Sequence, residues 1–329
     1  MIVNRILLLF ESSLSGSSNL SSNITFERAA PVGGPSIRGT LRLMKSKILR
    51  SSVFAWATLV SVIVSQITQY GVVALSAGHF ITTALLATSC TLLTALTAYV
   101  LNDFSDLKVD SVNSPRRPLV TKAVGKSETL ALILFLDLLA LLIGATLGIV
   151  PFFVVLLELA GGIAYSFRPF SYKSKFVLKT LSIGIAGVVS SIFGALCLGY
   201  GIGPLVVYSS SMFFVYLFAT SPLNDLGDIA GDVFESRKTI PIVIGSINTV
   251  KLSIFASLIP FVSSLLFFRF LGAGLLLPAI MGFVSLRSVQ LLYPLLREPD
   301  RLRTREKHKK MVLLHFVLQL AFVVAIIPL

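Results

Sequence analysis

The chain has 329 residues, of which 55% are hydrophobic and only 13% charged, about half the charged fraction of an ordinary soluble domain. A formal net charge of +13 would suit a nucleic-acid reader, but so apolar a composition excludes a soluble one, and no nucleic-acid partner is expected. The basic excess reads instead as membrane topology, and the chain belongs in lipid.

Met1 to Gly39 differ from the rest. A short apolar stretch, Ile6 to Phe10, gives way to a Ser- and Asn-rich run with Pro31, Gly33, Gly34 and Pro35. This composition predicts a disordered extension over 1–39; the apolar stretch is short for a secretory signal and no small-residue cleavage site follows it. From residue 40 to 329 one transmembrane domain is expected. Apolar runs long enough to cross the ~30 Å hydrocarbon layer as helices fall at 51–74, 79–101, 129–149, 151–167, 178–200, 204–222, 250–270, 273–295 and 311–329. The predicted fold class is therefore all-α, a polytopic bundle of about nine transmembrane helices.

The connections between these spans are of two kinds. The segment before the first span carries Arg38, Arg42, Lys45, Lys47 and Arg50, and the loops at 102–128, 168–177, 223–249 and 296–310 are rich in Lys and Arg. The turns near 75–78, 150, 201–203 and 271–272 are short and uncharged. With nine spans every basic connection falls on one face, which the positive-inside rule places in the cytoplasm. Cys90 and Cys197 sit in apolar runs without partners at metal spacing, and His79, His308 and His315 are too scattered for a metal triad; all five read as packing residues.

Two acidic motifs stand out. After the second span the chain reads Asn102-Asp103-Phe104-Ser105-Asp106-Leu107-Lys108-Val109-Asp110, and after the sixth, Asn224-Asp225-Leu226-Gly227-Asp228-Ile229-Ala230-Gly231-Asp232. On a helix, offsets of three, four and seven share a face, so each motif is expected to align three carboxylates. Six of only 15 acidic residues are used this way. A carboxylate at membrane depth costs about 2.5–3.5 kcal/mol, so a cation should offset them. Mg²⁺ fits best, because it takes oxygen ligands and binds through a few carboxylates plus substrate phosphates. The bland alternative is a pair of solvated helix ends, which two identical motifs at equivalent positions disfavour.

Basic clusters lie beside both: Asn113-Ser114-Pro115-Arg116-Arg117-Pro118-Leu119 after the first and Ser236-Arg237-Lys238-Thr239-Ile240-Pro241 after the second. A third, Tyr165-Ser166-Phe167-Arg168-Pro169-Phe170-Ser171-Tyr172-Lys173-Ser174-Lys175, lies on the same face. Fixed cations of this kind suit a diphosphate, Arg through bidentate contacts and Lys as a point charge.

With these residues in view, the sequence resembles the UbiA superfamily of intramembrane prenyltransferases. Asn102, Asp103, Asp106 and Asp110 fill that family's N-D-x-x-D-x-x-x-D motif, Asn113, Pro115, Arg117, Pro118 and Leu119 match its continuation, and Asp225, Asp228 and Asp232 match its second motif. Tyr165 and Lys173 take recurrent positions in its middle loop. The resemblance covers about 40–329. It implies a helical bundle around a central cavity, with both motifs at its cytoplasmic end. Mg²⁺ would be ligated by Asp103, Asp106, Asp110, Asp225, Asp228, Asp232 and Asn102, with Arg117 and Lys173 as catalytic cations. Asn102, Asn224, Tyr165, Arg237, Lys238 and Lys175 would bind substrate. The substrates implied are a prenyl diphosphate, with geranylgeranyl diphosphate favoured, and a membrane-soluble acceptor.

The sequence departs from the family where Lys122 and Ala123 replace a Gly-containing turn, where Ser236 replaces a Gly, and in the first helix, which offers Arg42, Lys45 or Arg50 in place of an Arg-Pro entry. The Arg237-Lys238-Thr239-Ile240-Pro241 run resembles the branch making archaeal ether lipids, with geranylgeranylglyceryl phosphate as acceptor; aromatic acceptors such as 4-hydroxybenzoate remain open. Tyr165, Phe167, Phe213 and Tyr216 are candidates to face the allylic cation. Asp137 and Glu158, inside spans three and four, are either cavity groups or protonated packing residues. An ion-coupled transporter is the reading of another class, but transporter carboxylates lie near the bilayer midplane beside broken helices, whereas these lie at helix ends. Oligomeric state is not legible.

Overall fold

A computed structural model describes residues 36–72, 78–199 and 201–327. The expectation of disorder over 1–39 lies almost wholly outside them. Among the described residues there are helices and no strands. In chain order the helices are α1 (Ile37–Tyr70), α2 (Gly78–Ser105), α3 (Leu107–Asn113), α4 (Lys126–Leu147), α5 (Ile149–Ser166), α6 (Leu178–Cys197), α7 (Pro204–Leu226), α8 (Ile229–Phe234), α9 (Ile240–Ile244), α10 (Ser246–Phe267), α11 (Leu276–Leu292) and α12 (Arg301–Val324).

Eight of these segments are long and apolar enough to cross a membrane. The ninth long helix, α12, opens with the basic stretch Arg301–Lys310 and turns apolar only at Met311, which is why its full length is too polar to qualify. α1 begins well before the apolar run that predicted it. Ser36 caps it, its Oγ accepting from the Gly39 amide at 3.1 Å, and the 34-residue helix is about 50 Å long at 1.5 Å per residue. One end therefore projects beyond the hydrocarbon layer, carrying Lys47 and Arg50 to where the carboxylates lie. α4 and α5 are joined by Gly148 alone, at φ 129°, a value that L side chains rarely adopt.

α1 and α6 pack together at the centre. α1 leads to α2, which packs on α4, which packs on α5; α6 leads to α7, which packs on α10, which packs on α11. The second half so repeats the contact order of the first, and α12 closes the bundle against α11, α7 and α1. The centre is held by small and hydroxyl residues, as membrane helices prefer: Thr58 Oγ1 meets Thr91 Oγ1 at 2.9 Å and donates to the Ser190 carbonyl at 2.7 Å, tying α1 to α2 and α6. Phe135, Leu138 and Leu142 of α4, Phe153 and Leu157 of α5 and Phe255 and Leu266 of α10 are exposed, the pattern of a lipid-facing surface.

The basic connections meet at one end. The Arg301 guanidinium donates to the carbonyls of Gly227 and Asn113 at 3.1 and 2.6 Å, and the Lys238 amide donates to the Ser174 carbonyl at 3.1 Å.

Candidate active site

Each acidic motif spans a break in a helix. α2 stops at Ser105 and α3 begins after Asp106, which takes φ −102°, ψ 17°; α7 stops at Leu226 and α8 begins after Asp228, at φ −121°, ψ 8°. The expectation of one unbroken helical face is corrected accordingly. Asp and Asn favour local bonding over helix interiors, and both motifs concentrate them. The i to i+4 ladder nonetheless continues through the first break, from the Asp106 amide to Asn102 O at 2.9 Å and from the Asp110 amide to Asp106 O at 2.8 Å. All six carboxylates consequently face one cavity of about 470 Å³.

Asn113 locks the two motifs together. Its Oδ1 accepts from the Gly231 amide at 3.0 Å and its Nδ2 donates to the Asp228 carbonyl at 2.8 Å. A Cβ on Gly231 would lie 2.4 Å from Asn113 Nδ2, so the close approach of α3 to α8 requires glycine there.

Side-chain cations oppose every carboxylate. Lys47 Nζ lies 2.6 Å from Asp103 Oδ2, and Arg117 donates to Asp103 Oδ1 at 2.7 Å and to Asp110. Lys173 Nζ lies 2.6 Å from Asp106 Oδ1 and bonds Ser105. Arg237, from the second basic loop, crosses to Asp106 of the first motif and lies 3.7 Å from Asp232. Lys179 Nζ sits 2.6 Å from Asp225 Oδ1 and 3.9 Å from Asp232 Oδ2, and Arg305 pairs with Asp228. Arg50 donates to Asn224 Oδ1 at 3.2 Å, and Asn224 in turn donates to Asp228 Oδ2 at 3.2 Å.

Among the described residues no three His, Cys, Asp or Glu groups gather as a metal cluster; Lys and Arg stand where the motif reading put Mg²⁺. The donor set still fits a hard divalent ion. Asp225 Oδ2 and Asp232 Oδ2 are buried carboxylate oxygens without a hydrogen bond among the described residues, and Asp103 Oδ2 and Asp225 Oδ1 meet their lysines outside hydrogen-bond alignment. Oxygens of this kind are what Mg²⁺ takes.

The electrostatics are uneven across the ring. Burial pushes the Asp110 carboxyl up to about 7, with Asp103 and Asp106 adding to the rise and Arg117 opposing it. Burial raises Asp232 against Lys179 and Arg237. Burial would raise Asp106 too, but Lys173 and Arg237 outweigh it and hold that group well below the usual carboxylate range. Lys173 itself is lowered by burial, which Asp106 only partly offsets.

Of the residues singled out in the sequence, Asn102, Asn224, Arg117, Tyr165, Lys173 and Arg237 line the cavity with the six aspartates. Lys175 and Lys238 do not; both are exposed on the outer rim, Lys175 lying 5.7 Å over the Tyr172 ring. Arg42 and Lys45 point outward, whereas Arg50, the third residue the sequence offered there, enters the cavity together with Lys47. Phe167, Phe213 and Tyr216 are packing residues: Phe213 and Tyr216 are fully buried, and the Tyr216 hydroxyl meets Ser288 Oγ at 2.7 Å. Phe54, Tyr99 and Tyr172 take the aromatic positions beside Tyr165.

Below the charged ring the walls are apolar, with Val53, Ala98, Ile183, Ala186, Val189 and Leu217. Glu158 is a cavity group, accepting from Thr94 Oγ1 at 2.9 Å and Ser190 Oγ at 3.2 Å. Asp137 lines a smaller cavity of about 190 Å³ between α2, α4 and α5. His308 and His315, read from sequence as packing, both reach the main cavity.

Motif reading missed Lys47, Lys179 and Arg305 as members of the ring, and matched Asn113 without giving it a role. Lys179 carried the clearest signal, an ionisable residue just inside a predicted span.

Comparison with known proteins agrees with this geometry. A sequence model of the UbiA prenyltransferase family matches residues 54–323. The chain is similar to the digeranylgeranylglyceryl phosphate synthase of Methanothermobacter thermautotrophicus, 26% identical over 69% of this chain and 79% of the relative. It is also similar to that of Methanosphaera stadtmanae, 25% identical over 56% of this chain and 66% of the relative. A UbiA homologue from Archaeoglobus fulgidus, solved with GPP and Mg²⁺, superposes with a TM-score of 0.64 at 16% identity, covering 87% of this chain and 99% of that one. The apo UbiA homologue from Aeropyrum pernix gives 0.65 at 16% identity over 85% and 97%. At such identity the structural likeness speaks for the fold.

Proposed function

The chain belongs to the UbiA prenyltransferase family, and on that premise we propose that it ionises geranylgeranyl diphosphate and joins the prenyl group to the free hydroxyl of geranylgeranylglyceryl phosphate, making an ether lipid. The choice of acceptor rests on the relatives named digeranylgeranylglyceryl phosphate synthase. The observation that carries the reaction is the shape of the site: six carboxylates and their cations at one end of a cavity whose depth is apolar. That is the polarity of a prenyl diphosphate, charged at the head and hydrocarbon behind it.

Mg²⁺, held by the six motif aspartates with Asn102, would neutralise charge on the departing diphosphate. Arg117, Lys173 and Arg237 hold the diphosphate oxygens as their contacts to the aspartates are exchanged. Tyr165, Tyr99 and Phe54 line the cavity, where aromatic rings would stabilise an allylic cation, and the largely apolar walls limit its exposure to water. The Lys- and Arg-rich loops at this end support the reading that it faces the cytoplasm.

Asp103→Ala and Asp228→Ala are expected to abolish Mg²⁺-dependent product formation while the purified protein keeps its helical circular-dichroism spectrum. Full turnover in either variant would remove the mechanism. Offering geranylgeranyl diphosphate with geranylgeranylglyceryl phosphate and with 4-hydroxybenzoate in parallel tests the acceptor; exclusive use of the phenol would overturn it.

A further inference from the structure

The prenyl-transfer reading leaves one step without an owner: when a hydroxyl attacks the allylic carbon, its proton must go somewhere. The six motif carboxylates are already paired with Lys or Arg, and Glu158, the other carboxyl group on the cavity wall, already accepts from the Thr94 and Ser190 hydroxyls.

The helix that closes the bundle supplies one. Along α12, Arg305, His308, Val312 and His315 follow one another at three- and four-residue offsets and so share a face; Arg305 pairs with Asp228, and the other three line the cavity. His308 therefore lies three residues, a rise of about 4.5 Å, further along α12 than the arginine that meets the carboxylate ring. Arg50 of α1, fixed by Asn224, is its charged neighbour.

Its hydrogen bonding sets it apart from its twin. His315 is satisfied, with Nδ1 3.1 Å from the Met311 carbonyl, Nε2 3.4 Å from Thr220 Oγ1, and its ring packed 4.7 Å from that of Tyr216. His308 is only 8% exposed, lines the cavity, and has no hydrogen bond among the described residues. A cavity-lining imidazole that bonds no protein group is free to meet a ligand there.

Its position along the helix also suits an amphiphile. Arg301 to Lys310 are largely basic and Met311 onward is apolar, so His308 marks the boundary between headgroup and hydrocarbon. A glycerol hydroxyl lies at that boundary, between a phosphate and an alkyl chain.

We propose that His308 is the catalytic base that takes the proton from the acceptor hydroxyl. The carbon–oxygen bond to the diphosphate breaks with its electron pair leaving on the diphosphate oxygen. A lone pair of the acceptor oxygen forms the new bond to that carbon, and the hydroxyl proton passes to a ring nitrogen of His308. The oxygen captured by an allylic cation is strongly acidic, so a neutral imidazole suffices. This rests on the prenyl-transfer reading above.

The test uses the full-length protein in detergent with Mg²⁺, comparing His308→Ala and His308→Gln with wild type. Binding of a non-hydrolysable geranylgeranyl thiodiphosphate is measured beside transfer to geranylgeranylglyceryl phosphate. Both variants are expected to bind the analogue as wild type does and to lose about 100-fold or more in transfer, within the range for a positioned acid or base. Added imidazole should restore part of the His308→Ala rate. Glutamine can hydrogen-bond but cannot take the proton, so wild-type transfer by His308→Gln overturns the proposal. Loss of analogue binding in both variants overturns it too, by placing His308 in the architecture of the diphosphate site. If wild type itself fails to bind the analogue, the prenyl-transfer reading has failed, and that result is distinct from either of the others.

Discussion

At the scale of single residues the site is a balance of buried opposite charges, and Lys179 shows how tight it is. Its partner Asp225 is 1% exposed, and removing one member of a buried pair typically costs about 3–5 kcal/mol because the other charge is left uncompensated. Lys179→Ala is expected to lower the thermal transition of the purified protein and to abolish transfer. Adding Asp225→Asn should recover most of the transition but none of the activity, since the carboxylate is needed for the metal. Recovery of activity in the double variant would show that the pair is structural only.

Asp110 gives a pH signature of opposite sign to the usual carboxylate. Its folded value of about 7 lies above the unfolded value of about 3.9, so between them the native state binds more protons than the unfolded chain. The stability tied to this group is present at low pH and lost as pH rises through 7. Asp110→Asn is expected to flatten the fall of the thermal transition between about pH 4 and 7; an unchanged slope would assign that fall to other groups.

At the scale of elements, what matters is that two helix pairs are broken at the same place. α2–α3 and α7–α8 each turn at the middle aspartate of a motif, and each is met by a lysine from the preceding long helix, Lys47 of α1 or Lys179 of α6. The repeated spacing of the two motifs made their equivalence legible, and the span pattern placed both on one face. The break itself was not legible, because i+3 and i+4 offsets read the same in a continuous helix and in two short helical pieces. Nor could the sequence choose Arg50 over Arg42 and Lys45, or show that Lys47 turns inward with it: all four lie on one helix whose rotation is set by packing against α2 and α6.

Gly231 tests the junction of the two halves. Gly231→Ala puts a methyl group where Asn113 Nδ2 now sits, so α3 and α8 must part or Asn113 must give up its bonds to Gly231 and Asp228. Displacement of a few tenths of an ångström at a metal site should reduce transfer at least ~10-fold, about 1.4 kcal/mol, with the helical spectrum unchanged. Gly203→Ala, where an added Cβ meets nothing within 4 Å and φ is −71°, is the control for a general glycine effect. Equal activity in Gly231→Ala and wild type would mean that the two motifs need not be held together.

At the scale of the whole molecule, charge and apolarity have been sorted along one axis. The apolar runs and the alternation of basic and uncharged connections predicted nine helices and one basic face, and nine long helices with converging basic loops are what the described residues form. What hydropathy could not place was the cavity, because the same Ser, Ala, Gly and Thr residues serve helix contacts and cavity walls alike. The orientation of the basic face is set by physics outside the protein: moving each charged loop across the bilayer is opposed during insertion, and the Lys and Arg bias decides the outcome. The native thiols allow a clean measurement, since Cys90 and Cys197 are buried and should resist a membrane-impermeant maleimide. A cysteine at Ser236, in the exposed second basic loop, should react only when the cytoplasmic face is open to the reagent. A cysteine at Gly203, in the uncharged turn before α7, should react from the opposite side. The reverse pattern would put the carboxylate ring outside the cell, away from a cytoplasmic supply of prenyl diphosphate, and would overturn the assigned topology along with the source of substrate it implies.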